Sequence, residues 1–391
     1  MPILTSKESE LVAAAEGLHQ ELIERGNEID ELRQLPQDIA ERMAELGFYR
    51  LLVPAELGGL EASPAAFCRI SEVLAQANGS TAWCMFIGTT SQYLFGALES
   101  SLLAKMLENP NVITSGVFAD SGTALAAVRD GEPGYVINGH WSWGSGCHNA
   151  AWISGGVHEV DADGEPVNRA DPVTRVFFQP DEIEIMDNWH VSGLRGSGSS
   201  DYAAAEVWVP AERMATSVDN KAHSDRPIYR FPRFGVLGIP IGAIAMGMAR
   251  ASIDEVMRVA SEKTPMGSRR TLAMRPSLHS AIAVADTELS AARAWFYQTV
   301  EAAWAHAQEA PETLDHRRAI RTANVHAVKT AVRVIDTMYT SVGGTSVYET
   351  SCLQRHFRDV HVATQHMMVS DSVMEVSGRI MLGLDDKGFG I

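Results

Sequence analysis

The sequence lacks several features that would mark a particular class of protein. Its 391 residues include only four cysteines, Cys68, Cys84, Cys147 and Cys352, which are far apart and form no Cys-x-x-Cys pair. This spacing indicates neither a zinc site nor a disulfide framework, and it suits a reducing cytoplasm. A glycine-rich loop of the Rossmann or Walker type is also missing. We therefore expect no bound metal and no nucleotide-phosphate loop of those two kinds.

Positive charge and long apolar runs are scarce as well. The chain carries 32 lysines and arginines against 49 aspartates and glutamates, a formal net charge of −17. No broad basic surface is expected to neutralise nucleic-acid phosphates or anionic lipid. No uninterrupted apolar run reaches the ~18 residues of a membrane-spanning helix, and the amino-terminal residues lack the pattern of a signal peptide. We expect a cytoplasmic protein that binds neither nucleic acid nor membrane.

What the sequence does contain is three successive stretches of different character. Helical periodicity dominates the first, as in Gln37–Leu46, where Ile39 and Met43 share an apolar face. Between about residues 112 and 209, short β-branched and aromatic runs and frequent glycines are typical of strands. Long helical patterns then return. Since strands and helices do not alternate, this order excludes a doubly wound sheet.

These stretches divide the chain into three expected domains. They are an α-helical domain over residues 1–111, a β domain over residues 112–225 and a helical domain over residues 226–391. Within the β domain, Asn138-Gly139 lies between two strand-like stretches and is a dipeptide that favours a type I′ hairpin turn. We expect that hairpin to place residues 140–143 on its second strand. The predicted fold class is α+β.

Four ordered blocks of the sequence resemble the acyl-CoA dehydrogenase family. The first is the Pro…Gly-Gly turn that ends at Gly59, and the second is the β-domain block that contains Trp143 and Ser145. The third is the Gly-Leu-Arg-Gly-Ser turn of Gly193–Ser197, and the fourth is a Gly-Gly…Arg-x-x-Arg-Asp segment that ends at Asp359. The resemblance implies an N-terminal α-helical domain, a middle β-barrel or sandwich domain and a C-terminal four-helix bundle.

The sequence departs from the dehydrogenases where their chemistry needs a carboxylate. Removal of an unactivated α-proton requires a positioned base, and many members carry this glutamate in a Tyr-Glu-Gly segment. The corresponding residues here are His366 and Met367, and residues 227–253, where other members carry the base, contain no aspartate or glutamate. The two-component flavin monooxygenases of this fold fit better, because their Ser-Gly pair and late histidine resemble Ser145-Gly146 and His366.

Resemblance to these monooxygenases implies an oxygenase component whose catalytic residues are Ser145 and His366. Reduced flavin, FADH2 or FMNH2, would come from a separate NAD(P)H-dependent flavin reductase and react with O2. The resulting C4a-hydroperoxyflavin would hydroxylate an aromatic or heteroaromatic small molecule, and we expect an indole-type substrate. The alternative is an acyl-CoA dehydrogenase or flavin oxidase with tightly bound FAD. Such enzymes generally form homotetramers through their C-terminal helices.

The same resemblance implies roles for a larger set of residues. Those expected to bind flavin are Trp143, Ser145, Gly146, Arg195, Ser197, Arg269 and Arg270, and those expected to contact substrate are Thr90, Tyr93 and Met367. Because imidazole titrates near neutral pH, His366 could hydrogen bond to the oxygen species or take a proton from the substrate.

Structural roles stay open for most of these side chains. Trp143 could be a core aromatic, Ser145 a hydroxyl that bonds to backbone, and His366 a packed core histidine. Arg195 could hold the glycine-rich turn, and Arg269-Arg270 could be a solvated basic turn.

Overall fold

The computed structural model describes residues 2–98, 100–167, 174–216 and 226–384. Helices come first along these residues, then strands, then helices again. The first helices are α1 Ser6–Gly17, α2 His19–Glu24, α3 Gly26–Leu32, α4 Gln37–Glu45, α5 Pro64–Ala77, α6 Gly79–Gln92 and α7 Ser100–Met106. The strands are β1 Thr114–Arg129, β2 Glu132–Trp141, β3 Trp152–Val160, β4 Thr174–Phe178, β5 Glu184–Ile185, β6 Tyr202–Pro210 and β7 Met214–Thr216. The later helices are α8 Pro227–Arg230, α9 Arg233–Glu262, α10 Pro276–Glu309, α11 Leu314–Ser341, α12 Cys352–Ala363 and α13 Asp371–Met381.

This order of helices, strands and helices confirms the predicted fold class. The three domain ranges remain a prediction, and the boundary expected between residues 225 and 226 lies at the edge of residues 217–225, outside the described residues.

Local sequence signals explain where the amino-terminal helices begin and end. Thr5 and Glu8 form a capping box at the start of α1, and the Asn78 side chain accepts a hydrogen bond from the backbone N–H of Thr81 at the start of α6. Such caps satisfy backbone donors that have no partner within the helix. α4 ends one residue before Leu46, and Gly47 follows with φ +80°, as its sequence predicts.

The strands form one mixed sheet of seven strands in the order β5-β6-β2-β1-β3-β4-β7. β1 pairs with β3 in parallel, and every other neighbouring pair is antiparallel. The β-branched and aromatic runs that predict strands are residues 135–137, 175–178 and 206–209, and they lie in β2, β4 and β6. The sheet brings the end of β2 next to the start of β6, where Trp141 pairs with Tyr202.

The predicted turn at Asn138-Gly139 is wrong. The β1–β2 hairpin turns instead at Asp130-Gly131, whose φ angles of +55° and +85° suit a type I′ turn. Asn138 lies inside β2 opposite a bulge in β6, where its side-chain oxygen accepts from the backbone N–H of Glu206. Asn-Gly and Asp-Gly both favour a type I′ turn. At Asn138 the side chain bonds to the bulge in β6 instead, and the chain turns at Asp130-Gly131.

Glycines in three neighbouring strands make room for the buried indole of Trp141. A Cβ atom at Gly122, Gly139 or Gly155 would lie 2.4–2.5 Å from an atom of that ring. The indole stacks on Tyr202 with ring centroids 5.5 Å apart, and its Nε1 donates to the carbonyl of Gly156 at 2.9 Å. Trp141 is therefore the core aromatic of the sheet.

The helices after the sheet pack around α9. This helix contacts α5 and α6 from the first group of helices and α10, α11 and α12 from the later group. By length and composition it is the one described helix that could cross a membrane, but 89% of its most apolar window is buried inside the protein. Its apolar composition is accounted for by its central position.

We expect Gly139→Ala to destabilise the fold. The new methyl group would overlap the wedged Trp141 ring, and overpacking of this kind costs about 1–3 kcal/mol. Urea denaturation measures the loss. The control is Gly17→Ala in α1, where a Cβ meets no atom within 4 Å. A Gly139→Ala protein as stable as the wild type would contradict the wedged packing.

Candidate active site

Three parts of the chain meet at α6. This helix contacts β1, the turn at residues 195–197 and helices α9 and α12. Its residues 83–86 carry two large buried aromatics, Trp83 and Phe86, with ring centroids 5.5 Å apart. Polar groups from the sheet side and from the segment after α12 converge on Trp83.

Three buried serines form a chain of hydrogen bonds that ends at Trp83. The hydroxyls of Ser197 and Ser199 are 2.7 Å apart, and those of Ser199 and Ser145 are 2.6 Å apart. Trp83 donates from Nε1 to the Ser145 hydroxyl at 3.1 Å. We call the three serines the hydroxyl chain. Two of its members, Ser145 and Ser197, belong to the predicted site.

The direction of the protons in the hydroxyl chain determines what Ser145 can do. A hydroxyl donates one hydrogen bond and accepts two. The Trp83 indole occupies one acceptor position of Ser145, because an indole N–H only donates. If Ser199 donates to the second position, the Ser145 proton is free to donate to a ligand.

Trp143 presents its indole to solvent. It follows β2 with φ +69° and is 65% exposed. The left-handed conformation is unfavourable for a bulky residue, at about 1–3 kcal/mol. The carboxylate of Asp201 holds it by accepting from the Trp143 backbone N–H at 3.2 Å and from the Ser142 hydroxyl at 3.1 Å. Trp143 is thus an exposed aromatic on a constrained backbone, whereas Trp141 fills the core.

Residues 193–198, the glycine-rich turn, place Ser197 beside Ser145. Gly146, with φ +74°, donates from its backbone N–H to the Ser197 carbonyl at 2.8 Å. A Cβ atom at Gly193 would lie 2.3 Å from the backbone of Arg358, so only glycine allows this approach of the turn to α12.

A buried carboxylate fastens the glycine-rich turn to α12. Asp359 accepts from the backbone N–H of Leu194 at 2.6 Å, and burial raises the pKa of its carboxyl to about 7. Arg358 donates to the carbonyl of Ser192 at 2.6 Å. Arg358 also pairs with Asp30 of α3. The Arg-x-x-Arg-Asp segment therefore acts on the site indirectly, by fixing this turn.

His366 lies in the short segment after α12 and packs against Trp83. Its ring meets the Trp83 indole edge to face, with centroids 5.8 Å apart. Its Nδ1 accepts from the backbone N–H of Met368 at 3.2 Å, which leaves the proton of the neutral ring on Nε2. Burial, and then the charge of Arg321, lower the pKa of His366 to about 4. At neutral pH the ring is therefore an uncharged hydrogen-bond donor, in contrast to the expectation for free imidazole.

The other predicted residues lie in several places. Thr90 is buried on α6 beyond Trp83. Tyr93 is buried in the turn that follows α6 and packs on Tyr229 with ring centroids 4.8 Å apart. Met367 is 54% exposed in the turn after α12. Thr90 lies two helical turns from Trp83 and so on the same face.

The predicted arginines are accessible. Arg195 is partly exposed, and within the described ranges its guanidinium makes no hydrogen bond or ion pair. Arg269 and Arg270 are exposed on the loop between α9 and α10, where a Ser268 hydroxyl bonds to the Arg270 backbone. The fold does not bring these two arginines to Ser145 within one chain, which leaves their flavin role a prediction.

Sequence reasoning missed Trp83, Ser199 and Arg321. Trp83 stands in a Gly-Ser-Thr-Ala-Trp run, and Ser199 is one of three serines between residues 197 and 200. Arg321 carries the clearest signal, because it interrupts the buried face of α11 between Ile320 and Ala323. A charged residue at such a position is rare unless it has a partner.

Comparison with known proteins identifies the family. A model described as acyl-CoA dehydrogenase, N-terminal domain, matches residues 5–99, and the corresponding C-terminal domain model matches residues 239–371. The chain is 30% identical over 362 residues to the indole-3-acetate monooxygenase of Pseudomonas putida, covering 92% of this chain and 90% of that protein. It is 29% identical over 375 residues to HsaA, the oxygenase subunit of a flavin-dependent monooxygenase of Mycobacterium tuberculosis, covering 91% of each.

A solved structure shows the same fold. XiaF from Streptomyces sp., in complex with FADH2 and glycerol, superimposes with a TM-score of 0.89 at 23% identity over 98% of both chains. The chain belongs to the flavin-dependent monooxygenases of the acyl-CoA dehydrogenase fold, as an oxygenase component that uses reduced flavin.

Proposed function

We propose that this chain inserts one atom of O2 into an aromatic or heteroaromatic small molecule of the indole type. A separate NAD(P)H-dependent flavin reductase would supply the reduced flavin. The observation that carries the proposal is the buried hydroxyl chain that ends at Trp83. At the position where a dehydrogenase needs a carboxylate the chain has Met367, which cannot act as a base. This favours oxygen insertion over the alternative, acyl-CoA dehydrogenation.

The residues around the hydroxyl chain fit a bound flavin. Trp143 offers an exposed aromatic face for a flat ring system, and the Ser145 hydroxyl can donate to a ring nitrogen. Arg195 offers a guanidinium suited to a phosphate group. Trp143, Ser145, Gly146 and Arg195 would hold the flavin, which supplies the electrons that activate O2.

Two groups would then control protons at the reacting oxygen. Trp83 fills one acceptor position of the Ser145 hydroxyl, and when Ser199 donates to the other, the Ser145 proton is available to a ligand. His366 stays uncharged near pH 7 and donates from Nε2. Directed donors in a site that excludes water favour transfer of oxygen to the substrate over its release as hydrogen peroxide.

An aromatic substrate is supported by the side chains that line α6. Trp83, Phe86 and His366 present ring faces and edges within one small region. Flat aromatic molecules pack well against such rings, in offset or edge-to-face geometry. The relative named indole-3-acetate monooxygenase, aligned over 92% of this chain, favours an indole among aromatic substrates.

We also propose a homotetramer. Twelve of the 20 exposed large hydrophobic side chains described lie between Met257 and Leu384, which leaves the later helices with apolar surface for packing against other copies. We expect light scattering to give a mass of four 42.4-kDa chains. A mass of one chain would contradict this proposal.

We expect Ser145→Ala to uncouple oxygen use from product formation. Without the hydroxyl, the ratio of hydroxylated product to hydrogen peroxide should fall about tenfold or more, since loss of one such donor weakens the reacting geometry at least that much. The assay supplies chemically reduced flavin, O2 labelled with ¹⁸O and an indole.

Ser9→Ala is the matched control for that experiment, because Ser9 is exposed on α1 and its hydroxyl donates to the carbonyl of Thr5 at 2.9 Å, outside the hydroxyl chain. If the ratio of hydroxylated product to hydrogen peroxide were unchanged in Ser145→Ala, Ser145 would have no part in the proposed chemistry. The dehydrogenase would be established instead by two results together. The wild type would hold tightly bound FAD that an acyl-CoA reduces, and it would give no ¹⁸O-labelled product.

We expect His366 to make stability depend on pH. Folding lowers its pKa from 6.5 to about 4, so its contribution is complete above pH 6.5 and is lost as the pH falls toward 4. His366→Gln removes this contribution, and its melting temperature should fall less than that of the wild type over the same range. His279→Gln, at an exposed position, should follow the wild type. Identical pH slopes for all three proteins would contradict the buried, neutral histidine.

A further inference from the structure

A buried arginine near the proposed site has no carboxylate partner among the described residues. Arg321, in the middle of α11, is only 2% exposed. Burial lowers the pKa of its guanidinium to about 10, and no acidic side chain contributes to that shift. The group remains charged at neutral pH. A buried charge without a counter-ion is expensive, so its retention points to a ligand that supplies one.

The contacts of Arg321 leave most of its hydrogen-bonding capacity unused. Its Nη1 donates to the Met368 sulfur at 2.8 Å, and a thioether is a weak acceptor. Among the residues that the structure describes, no acceptor reaches its buried Nε. A guanidinium presents five N–H donors in a planar fork that matches a carboxylate.

A second buried donor one turn along α11 faces the same place. Asn324 accepts through Oδ1 from the backbone N–H of Gly242 at 3.0 Å, which fixes the orientation of its amide. In the described part of the chain its Nδ2 donates to nothing. A Cβ atom built on Gly238 would lie 3.1 Å from Arg321 Nη1 and 3.4 Å from Asn324 Nδ2. Both nitrogens therefore lie close to Gly238 of α9, where a larger side chain would crowd them.

This pair of donors adjoins the proposed active site. The same virtual Cβ atom lies 3.7 Å from Met368 Cβ, and the Met368 backbone N–H donates to His366. Arg321 is also close enough to His366 for its charge to lower that residue's pKa. A ligand that reached Arg321 would thus extend past the ring that packs on Trp83.

We propose that Arg321 and Asn324 bind the carboxylate of an aromatic acid substrate and so select acids over neutral aromatics. The inference rests on the proposed function and specifies its substrate class. The carboxylate would accept from both donors, and the aromatic ring would extend toward His366 and Trp83. Bidentate pairing with a buried guanidinium fixes orientation as well as affinity.

The test compares an acid with its neutral amide in direct binding. Isothermal titration of the purified protein measures the affinities of indole-3-acetate and indole-3-acetamide. We expect the wild type to prefer the acid. Arg321→Met should weaken acid binding about 30-fold or more, because loss of one partner of a buried charged pair removes at least that much affinity. Amide binding should change little.

Stability separates a ligand-binding arginine from a structural one. Without ligand, Arg321→Met should melt at the same temperature as the wild type or higher, because replacing an uncompensated buried charge with an apolar side chain is neutral or stabilising. A clear fall in melting temperature, or equal losses for acid and amide, would overturn the proposal. If Arg321→Met lost affinity for flavin and kept its affinity for the acid, Arg321 would belong to the cofactor site, and the proposal would be overturned as well.

Two further variants sharpen the result. Asn324→Asp would place a carboxylate beside Arg321, and we expect it to abolish acid binding while raising the melting temperature. Arg333→Met removes an exposed arginine from the same helix and should leave acid binding unchanged. Acid binding by Asn324→Asp at wild-type affinity would contradict the shared point of contact.

Because titration requires no turnover, the two proposals can fail separately. Arg321-dependent acid binding without any oxygenated product would overturn the proposed function alone. Oxygenation of indoles with equal preference for acid and amide would overturn only the carboxylate site.

Discussion

The close approach of the glycine-rich turn to α12 is the constraint on which the site depends. Gly193 permits backbone contact with Arg358, and Asp359 then fastens the turn through the N–H of Leu194. Only in this position do Ser197 and Ser199 meet Ser145. A side chain at 193 or loss of the Asp359 carboxylate would displace the hydroxyl chain as a unit, although neither residue touches a ligand.

Sequence alone predicted the architecture and part of the site for identifiable reasons. Helix periodicity and helix caps depend on a few neighbouring residues, so the end of α4 could be predicted from its own pattern. Ser145 and Ser197 were predicted because they lie in motifs of the family. The turn at Asn138-Gly139 was misplaced because Asp130-Gly131 has the same local preference. The choice between them depends on pairing with β6, which is a contact between distant residues.

Residues that act through distant neighbours could not be found from a motif. Trp83 matters because its Nε1 reaches Ser145, 62 residues away along the chain. His366 was predicted as a site residue, but its neutral state was not. That state results from burial and from the nearby charge of Arg321, which exist only in the folded chain. Local sequence specifies which groups are available, and tertiary contacts specify their protonation and direction.

Several unfavourable features lie around the proposed site. Trp143 holds an exposed indole on a left-handed backbone, and among the described residues the buried Nε of Arg321 and Nδ2 of Asn324 find no acceptor. Each would cost stability if it served the fold alone. Flavin contact would compensate the first, and a substrate carboxylate would compensate the other two. The unpaired donors of Arg321 and Asn324 therefore carry information about the substrate, because a neutral ligand would leave the buried charge of Arg321 uncompensated.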